Sequence, residues 1–323
     1  MQAIVMEQFG PPEVLILRDV ADPPCGAGQM VIEVSFSSVT FVETQVRSGR
    51  APHVSMLPRL PAVPGNGVAG VVVAVGAGLG NDVIGTRVVS TTRGTGGYAQ
   101  LVSVPANGII PIPDEVALAD AAALLADGRT ALGLLDRAMI EPGATVLVEA
   151  AAGGVGSLLV QLAKRAGAFV VAAAGDERKL ELARSLGADV AADYRRSSWT
   201  NEVVSAMNGA KLDVVFDGVG GSIGREAFEL LGPGGRLCVF GMASGSFTDV
   251  SEHELTSRGI TQPRGSRPST EEMSKLTARA LAGAAAGTLR PVIGQKVPLA
   301  RAADAHRAIE GRATIGKTLL MAS

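Results

Sequence analysis

The pattern of hydrophobic and polar positions changes its period near residue 123. Before that point, short apolar or alternating runs at 30–36, 70–75, 86–90 and 99–104 are separated by glycine- and proline-containing segments. Runs of this length between such segments are typical of β-strands. The pattern therefore predicts a β-rich, barrel-like first part over residues 1 to about 122, made mostly of strands and turns.

From about 123 to 260 the pattern alternates between strand and helix. Apolar runs at 145–148, 169–174, 212–217 and 236–240 are each followed by a turn that contains glycine. This alternation predicts a parallel sheet with crossover helices. Ligands of such sheets bind at the carboxyl edge of the strands, so the glycine turns mark the candidate ligand edge.

The last part of the chain changes pattern again. It reads as an alanine-rich helix near 270–286, a last helix near 300–310 and a terminal strand at 316–321. We expect this tail to return and complete the first domain. The predicted fold class is α/β, with one domain formed by 1–122 and 262–323 and a second formed by 123–261.

The turn after residues 145–148 contains Ala151, Gly153, Gly154, Val155 and Gly156. Gly153 allows the backbone to approach a pyrophosphate, the helix start offers free N–H groups, and Gly156 allows helix and strand to pack. Alanine stands at the first position of the usual G-x-G-x-x-G motif, so the motif alone leaves open a tight turn of any α/β protein.

The helix predicted after this turn has an apolar face at helical spacing, formed by Val155, Leu158, Leu159, Leu162 and Ala166. Such spacing predicts an amphipathic helix that packs this face on the sheet. A strand, a glycine turn and a helix in this order form the start of a dinucleotide-binding βαβ unit.

The end of the second parallel strand indicates which dinucleotide binds. Sites that prefer NAD usually place Asp or Glu there, whereas this chain has Ala174 and Gly175, followed by Arg178 and Lys179. Cations after an uncharged strand end suit a 2′-phosphate and predict NADPH. Asp176 would repel a phosphate if it pointed inward, and a solvated first helical turn is the alternative for the two cations.

Composition excludes several classes of function. A formal net charge of −2 argues against non-specific binding to nucleic acid or to a membrane surface. Cys25 and Cys238 lack metal-ligand spacing, and two cysteines suit a reducing cytoplasm. No signal peptide is expected at the start. Residues 61–81 carry no charge, but Pro64 and several glycines favour strands and turns over a membrane helix.

Ordered motifs over nearly the full length give the chain a resemblance to a known family. They lie at 9–15 (Phe-Gly-Pro-Pro-Glu-Val-Leu), 47–49 (Arg-Ser-Gly), 64–76, 96–99, 151–164 and 216–220. In these motifs the chain resembles the zinc-free quinone oxidoreductases related to zeta-crystallin, in the medium-chain dehydrogenase/reductase superfamily. The resemblance implies a GroES-like β-rich catalytic domain, a Rossmann doubly wound parallel-sheet domain, and a homodimer paired through edge strands, here at 236–249.

Zinc-dependent members of that superfamily carry a catalytic Cys in the segment that is 39–44 here, and His-Glu where this chain has Asn66 and Gly67. The three histidines, His53, His253 and His306, stand far apart, and each is expected to be a surface or helix residue. We therefore expect no metal. Hydride transfer without a strong Lewis acid requires an electrophilic conjugated acceptor such as a quinone or an α,β-unsaturated carbonyl.

The resemblance also implies which residues bind the cofactor. Lys179 matches a 2′-phosphate lysine, Tyr194 an adenosine-side tyrosine and Thr130 a threonine near the nicotinamide; Arg312 matches a tail residue that closes over the cofactor. A packing tyrosine and a helix-start hydroxyl are the alternatives for Tyr194 and Thr130. The full predicted set is Thr130, Ala152, Gly153, Gly154, Val155, Gly156, Gly175, Arg178, Lys179, Tyr194, Gly218, Phe240, Gly241 and Arg312. The segment 261–267 is a further stretch that could reach the cofactor.

The substrate-pocket candidates are Thr40, Glu43 and Gln45. The resembled family often reads Asn-Phe-x-Asp-x-Tyr in this segment and has a second tyrosine soon after Arg-Ser-Gly, and both phenols are absent here. Thr40 or Glu43 are hydrogen-bonding candidates for the substrate, although a solvated loop carboxylate is the expectation for Glu43. No catalytic acid/base residue is predicted.

The leading hypothesis is an NADPH-dependent reductase of a small-molecule quinone or enone. The first alternative is a 2-alkenal or enoyl reductase, which the missing tyrosines disfavour for thioesters. The second is a cofactor-binding protein with a structural, sensory or RNA-associated use. The near-neutral charge and 3% aromatic content give no basic stacking surface for RNA.

Overall fold

The computed structural model describes residues 1–263 and 268–322. These residues form two compact units, Met1–Arg129 with Thr270–Ser323, and Thr130–Ser269, called here the first and second unit. The domain boundaries expected from the sequence, 122/123 and 261/262, fall a few residues before these bounds and stay a prediction.

The helices and strands have the following bounds. The strands are β1 Gln2–Val5, β2 Ile16–Asp19, β3 Gln29–Val39, β4 Gly67–Val75, β5 Arg87–Thr91, β6 Leu101–Pro105, β7 Ile109–Pro111, β8 Thr145–Glu149, β9 Phe169–Ala174, β10 Val190–Asp193, β11 Leu212–Asp217, β12 Leu231–Val239, β13 Ile293–Pro298 and β14 Lys317–Met321. The helices are α1 Phe41–Arg47, α2 Leu118–Ala138, α3 Gly154–Arg165, α4 Glu177–Ser185, α5 Trp199–Ala206, α6 Gly221–Glu229, α7 Glu252–Ser257, α8 Thr270–Ala285 and α9 Ala302–Glu310.

The first unit is built on one large sheet. Its strand order is β13-β14-β3-β4-β5-β7, with β6 paired to β3 and a separate antiparallel pair of β1 and β2. Strand β14 runs antiparallel to β3 and parallel to β13, so the tail of the chain joins the sheet that contains β3. Ile32, Val34 and Val68 are among its fully buried core positions.

Two helices interrupt the part of the chain that the sequence predicted as mostly strands and turns. Helix α1 begins directly after β3 and is held by a capping box between Thr40 and Glu43. Helix α2 begins at Leu118, before the predicted change of pattern. These two helices were not predicted from the sequence, and α1 forms despite its short length because a side-chain cap satisfies its free amides.

The second unit is a parallel sheet in the order β10-β9-β8-β11-β12. Its core is apolar, with Leu147, Val171 and Val215 fully buried. The order of the strands reverses between β8 and β11, and loops at such a reversal leave the sheet in opposite directions. This is the Rossmann arrangement predicted from the alternation of strands and helices, and β8 and β11 form its switch point.

The face that α3 buries differs from the prediction. Leu158 and Leu159 are buried as expected, whereas Val155, Leu162 and Ala166 are only half-buried. The observed stripe is Gly156, Leu159, Val160 and Ala163, spaced at i, i+3, i+4 and i+7. It starts at Gly156 because that residue makes the close contact with the end of β8.

Strand β12 begins at Leu231, five positions before its predicted start. A register shift between Leu212 and Val214 on β11 accommodates the Gly-Pro-Gly-Gly stretch of β12. Within the uncharged segment 61–81, β4 occupies Gly67–Val75, as expected. None of the helices in residues 1–263 and 268–322 combines the length and the apolar character needed to cross a bilayer.

Candidate active site

The glycine turn between β8 and α3 has the geometry of an anion cradle. Gly153 is the N-cap of α3, and its extended backbone brings Gly154 to the first helical position. The first amides of a helix have no partner within the helix and attract an anion. A Cβ on Gly156 would collide with the carbonyl oxygen of Ala150, so glycine is required there by the packing of helix against strand end. Ala152 is buried beside this turn.

A second group of predicted residues meets at the ends of β9 and β10. The ring of Tyr194 covers Gly175, where an added Cβ would lie 3.2 Å from Tyr194 Cε2. The backbone N–H of Tyr194 donates to the carbonyl of Ala174 at 3.2 Å, which fixes the tyrosine beside the strand end. Arg178 is exposed on the first turn of α4. Glycine at 175 therefore leaves room for a flat aromatic surface.

Asp176 has a defined structural role at this strand end. Its Oδ1 accepts the backbone N–H of Lys179 at 3.0 Å and caps α4, while Oδ2 lies 3.1 Å from Lys179 Nζ. The carboxylate is therefore tied to the lysine that the sequence assigned to the 2′-phosphate. Asp176 and Lys179 form one unit at the start of α4, rather than a repulsive group and an attractive one.

A third group meets at the ends of β11 and β12. The ring of Phe240 occupies the space that a Cβ on Gly218 would need, and Gly241 packs against the backbone of Gly218. The backbone N–H of Phe240 donates to the carbonyl of Asp217 at 2.8 Å. Gly218, Phe240 and Gly241 are thus brought together at the carboxyl edge of the sheet.

Two buried acids that the sequence analysis did not single out lie at the same edge. Glu149 ends β8 and Asp217 ends β11, and both are fully buried. Burial raises the pKa of Glu149 well above its usual range, and the neighbouring Asp217 raises it further. The sequence contained a signal for this pair, because an acid stands at the end of each of two apolar runs. Parallel strands end at the same edge of their sheet, so the two acids are expected to lie close together.

In the first unit, Thr40 and Glu43 are joined at the start of α1. Glu43 Oε2 accepts the backbone N–H of Thr40 at 2.6 Å and its hydroxyl at 2.9 Å, and Oε1 accepts the N–H of Asn66 at 2.8 Å. Burial raises the pKa of Glu43 although these bonds favour the carboxylate. The expected solvated loop carboxylate was wrong, because Glu43 is a buried helix residue that satisfies backbone amides.

Lys317 contributes a positive charge near Glu43. Its ammonium lies 2.9 Å from Asp127 Oδ1, and both side chains are buried. The charge of Lys317 acts against the rise in the pKa of Glu43 that burial causes. Gln45, the remaining pocket candidate, is half-buried on α1.

The remaining predicted residues lie outside the groups described above. Thr130 lies well inside α2, so the alternative of a helix-start hydroxyl was wrong. Arg312 follows α9, is exposed and has a φ of 54°. Residues 264–267 of the predicted segment 261–267 lie outside the described residues, whereas Thr261 forms a bridge with Arg236.

The described residues contain no cluster of three or more His, Cys, Asp or Glu side chains that would suit a metal ion. The histidines have other surroundings: His53 Nδ1 contacts Ser55 at 2.7 Å, and His306 is buried on α9 against Tyr98. Asn66 Oδ1 accepts the N–H of Gly94 at 2.7 Å. Asn66 and Thr40 are therefore engaged with neighbouring backbone.

Family models match both parts of the chain. Residues 26–114 match the alcohol dehydrogenase GroES-like domain, and residues 154–282 match the zinc-binding dehydrogenase domain. The chain is 33% identical to a quinone oxidoreductase of Pseudomonas aeruginosa, with 97% of each chain covered. It is 32% identical to a 2-haloacrylate reductase of a Burkholderia species, with 99% of each covered.

Solved structures agree with these relatives. The quinone oxidoreductase of Escherichia coli in complex with NADPH superposes with a TM-score of 0.89 at 30% identity, covering 99% of this chain and 100% of that one. An NAD-dependent alcohol dehydrogenase superposes with a TM-score of 0.90 at 30% identity, covering 100% of each. The chain is an oxidoreductase with a nicotinamide-cofactor fold, and it belongs to the quinone oxidoreductase family of the medium-chain dehydrogenases/reductases.

Proposed function

We propose that this chain transfers a hydride from NADPH to quinones or similarly activated conjugated carbonyls, without zinc. The observation that carries the choice of cofactor is the end of β9, where the Tyr194 ring covers Gly175 and Lys179 pairs with Asp176. No carboxylate ends that strand, and Asp176, the first acid after it, is used as the cap of α4. Lys179 is a cation held in place by Asp176, the cap of its own helix. A cation held in this way suits a 2′-phosphate better than it suits a ribose hydroxyl.

The residues present fit a dinucleotide along the carboxyl edge of the second unit. The first amides of α3 bind the pyrophosphate, and Tyr194 offers a flat surface to the adenosine. Gly218 and Gly241 have no side chains, so the backbone there is open to the remaining half of the dinucleotide. The Lys179 ammonium has three N–H donors and can serve Asp176 and a phosphate together. When bound, NADPH supplies the hydride.

On the substrate side, Thr40 presents a half-buried hydroxyl at the start of α1. Glu43 is buried and holds the N–H groups of Thr40 and Asn66, so we assign it a positioning role rather than contact with the substrate. Gln45 completes the proposed pocket. The pocket orients an acceptor that is already electrophilic, which is why the reaction needs neither a Lewis acid nor the missing tyrosines.

A second candidate activity is the reduction of an activated carbon–carbon double bond in an enal, an enoyl compound or an unsaturated acid. The relative named 2-haloacrylate reductase favours it, because that protein matches over 99% of this chain. Both reactions use NADPH as the hydride donor. The end of β9, which has no carboxylate, is therefore compatible with either reaction. The two therefore differ only in the acceptor that the pocket admits.

The proposal includes a homodimer in a reducing compartment such as the cytoplasm, without nucleic acid as a partner. Strand β12 is the last strand at one end of the parallel sheet, and beyond its bridge with Thr261 we propose its edge for strand-to-strand pairing. Cys25 and Cys238 are both free thiols. The net charge of −2 gives no electrostatic attraction for a polyanion.

The experiment that tests the function follows NADPH absorbance with four acceptors in parallel: a benzoquinone, a naphthoquinone, a short 2-alkenal and crotonyl thioester. We expect turnover with the quinones. Turnover restricted to the enal or thioester would replace the proposal by the second candidate. NADPH binding without turnover of any acceptor would contradict both, and the Gly153→Val variant is the control for cofactor consumption outside the site.

A further inference from the structure

Two acidic side chains lie side by side at the switch point of the parallel sheet. Strands β8 and β11 are neighbours with Val148 opposite Phe216, so the next residues, Glu149 and Asp217, end the two strands at the same level. Both side chains have no exposed surface. Buried carboxyls are costly unless each is neutral or paired, so their joint presence requires a physical explanation.

One backbone amide connects the two carboxyls. The N–H of Val219 lies 3.0 Å from Glu149 Oε2 and 3.1 Å from Asp217 Oδ1. An amide shared in this way brings the two carboxyls close together. Two ionised carboxylates at such a separation, away from water, repel strongly, and one of the pair keeps a proton.

The two acids differ in the hydrogen bonds that they receive. Asp217 also accepts the N–H of Gly220 at 2.7 Å and the Thr248 hydroxyl at 2.5 Å, which stabilises its negative charge. Gly220 is the N-cap of α6, whose amino end favours an anion. By contrast, Glu149 Oε1 is buried and receives no N–H or O–H from the described residues. A proton on Glu149 that is donated to Asp217 gives this carboxyl the partner it lacks.

Among the described residues that face Glu149 from the neighbouring elements, Asp217 is the charged one. On β9 the opposite residue is Ala173, and after β8 the chain continues through three alanines. Thr248, in the segment after β12, is uncharged and contacts Asp217. The state of Glu149 therefore depends on Asp217 and on the amides of Gly218 and Val219.

The pair joins the two loops that form the proposed cofactor cradle. Glu149 directly precedes the turn of Ala150 to Gly153, and Asp217 directly precedes Gly218 to Gly220. We propose that Glu149 is a positioning residue for the cofactor: it remains protonated at neutral pH, donates a hydrogen bond to Asp217, and so fixes the two loops at a constant separation. This inference rests on the proposed function, since it assumes that these loops bind the dinucleotide.

Loss of the proton at alkaline pH places two negative charges between the loops and beneath a cofactor that is itself an anion. NADPH affinity then falls with rising pH, by up to about tenfold per pH unit once Glu149 ionises. The free energy of unfolding of the free protein falls over a lower range, from about pH 4.5, where the unfolded chain ionises Glu149, up to the pKa of the folded carboxyl, because in that interval only the unfolded state releases the proton. A residue with only a packing role would produce the change in stability but no change in NADPH affinity.

The test compares wild type with Glu149→Gln, whose amide keeps an N–H for Asp217 and does not titrate. Glu141→Gln is the matched control, because it makes the same change at an exposed position just before the same strand. The dissociation constant for NADPH and the melting temperature without cofactor are measured from about pH 6 to about pH 10. We expect both to depend on pH in wild type and in Glu141→Gln, and to be nearly flat in Glu149→Gln.

Parallel pH profiles in wild type and Glu149→Gln would overturn the inference. If wild type binds no NADPH at any pH, the proposed function fails, and the melting temperatures without cofactor still decide the state of Glu149. If Glu149→Gln does not fold, carbon-13 NMR of labelled glutamate in wild type replaces it. A carboxyl that is still protonated at neutral pH supports the inference, and an ionised Glu149 would overturn it.

Discussion

The hydroxyl of Tyr98 lies 3.0 Å from Nε2 of His306, and both side chains are fully buried in the first unit. Their rings meet edge to face, with centroids 5.8 Å apart. Burial lowers the pKa of His306 from 6.5 to about 3, with a further contribution from the charge of Arg47. His306 is therefore a neutral core residue of α9, neither a metal ligand nor a surface group.

The neutral His306 predicts acid sensitivity of the fold. The unfolded chain binds a proton at His306 below about pH 6.5 while the folded chain does not, so this contribution to stability is complete above that pH. It is lost as the pH falls toward 3, by about 1.4 kcal/mol per pH unit. Urea unfolding at several pH values should show a shallower acid dependence for His306→Gln than for wild type. His253→Gln, at an exposed histidine, should behave as wild type, and an unchanged slope in His306→Gln would refute the argument.

Lys179→Ala should weaken NADPH binding far more than NADH binding. Loss of a charge-assisted contact to the 2′-phosphate costs about 1–3 kcal/mol, which is roughly tenfold to hundredfold in affinity. Titration calorimetry with both cofactors measures the difference. Lys164→Ala, which removes an exposed lysine paired with Asp189, is the matched control. An equal effect of Lys179→Ala on the two cofactors would remove Lys179 from the phosphate site.

Two glycines of the same turn should respond differently to substitution. Gly153→Val should abolish NADPH binding while the melting temperature stays close to wild type, because the new side chain fills the space of the pyrophosphate. Gly156→Ala should instead destabilise the protein, since its Cβ collides with the carbonyl oxygen of Ala150. Thermal unfolding and NADPH titration of both variants separate the two effects. Unchanged NADPH affinity in Gly153→Val would contradict the placement of the cofactor.

Glu43→Ala should destabilise the first unit and impair acceptor binding. The substitution leaves the N–H groups of Thr40 and Asn66 without their acceptor, at a cost of about 1–3 kcal/mol for each buried group. Chemical denaturation measures the loss, and KM for a quinone reports the pocket. Glu115→Ala, at an exposed turn, should leave both values unchanged. Stability equal to wild type in Glu43→Ala would show that water replaces the carboxylate.

The metal prediction concerns the purified protein. Elemental analysis should find no stoichiometric zinc, and a strong chelator should leave quinone turnover unchanged, because the side-chain oxygens of Thr40 and Asn66 accept the backbone N–H groups of Glu43 and Gly94. One equivalent of zinc whose removal abolishes turnover would overturn the proposed mechanism.

Local features of the second unit could be predicted from the sequence. The order of strand, glycine turn and helix placed Gly153 and Gly156 where the structure has them, because that turn is specified by residues adjacent in the chain. The contacts of Tyr194 with Gly175 and of Phe240 with Gly218 follow from parallel strands ending at one edge. The exact buried face of α3 required the contact of Gly156 with the end of β8, which periodicity alone does not contain.

The first unit was less predictable because its polar contacts join distant segments. The spacing of Thr40 and Glu43 is that of a capping box, and α1 could have been predicted from this signal, although it was not. Nothing in the local sequence places Asn66 beside Glu43, or Lys317 beside Asp127. Their burial depends on the assembly of β3, β4 and β14, and for that reason Glu43 was expected to be solvated.

The position of β14 has a consequence for the order of events during synthesis. The end of β3, from Phe36 to Val39, pairs with residues 318–321 of β14, which are synthesised after the whole of the second unit. All five strands of the second unit are contiguous in the chain, so that unit can fold while the first unit still has an open strand edge. Thr40 follows directly on Val39, whose partner is Thr318. Synthesis therefore completes the parallel sheet of the second unit before it supplies the strand that pairs with the residue next to Thr40.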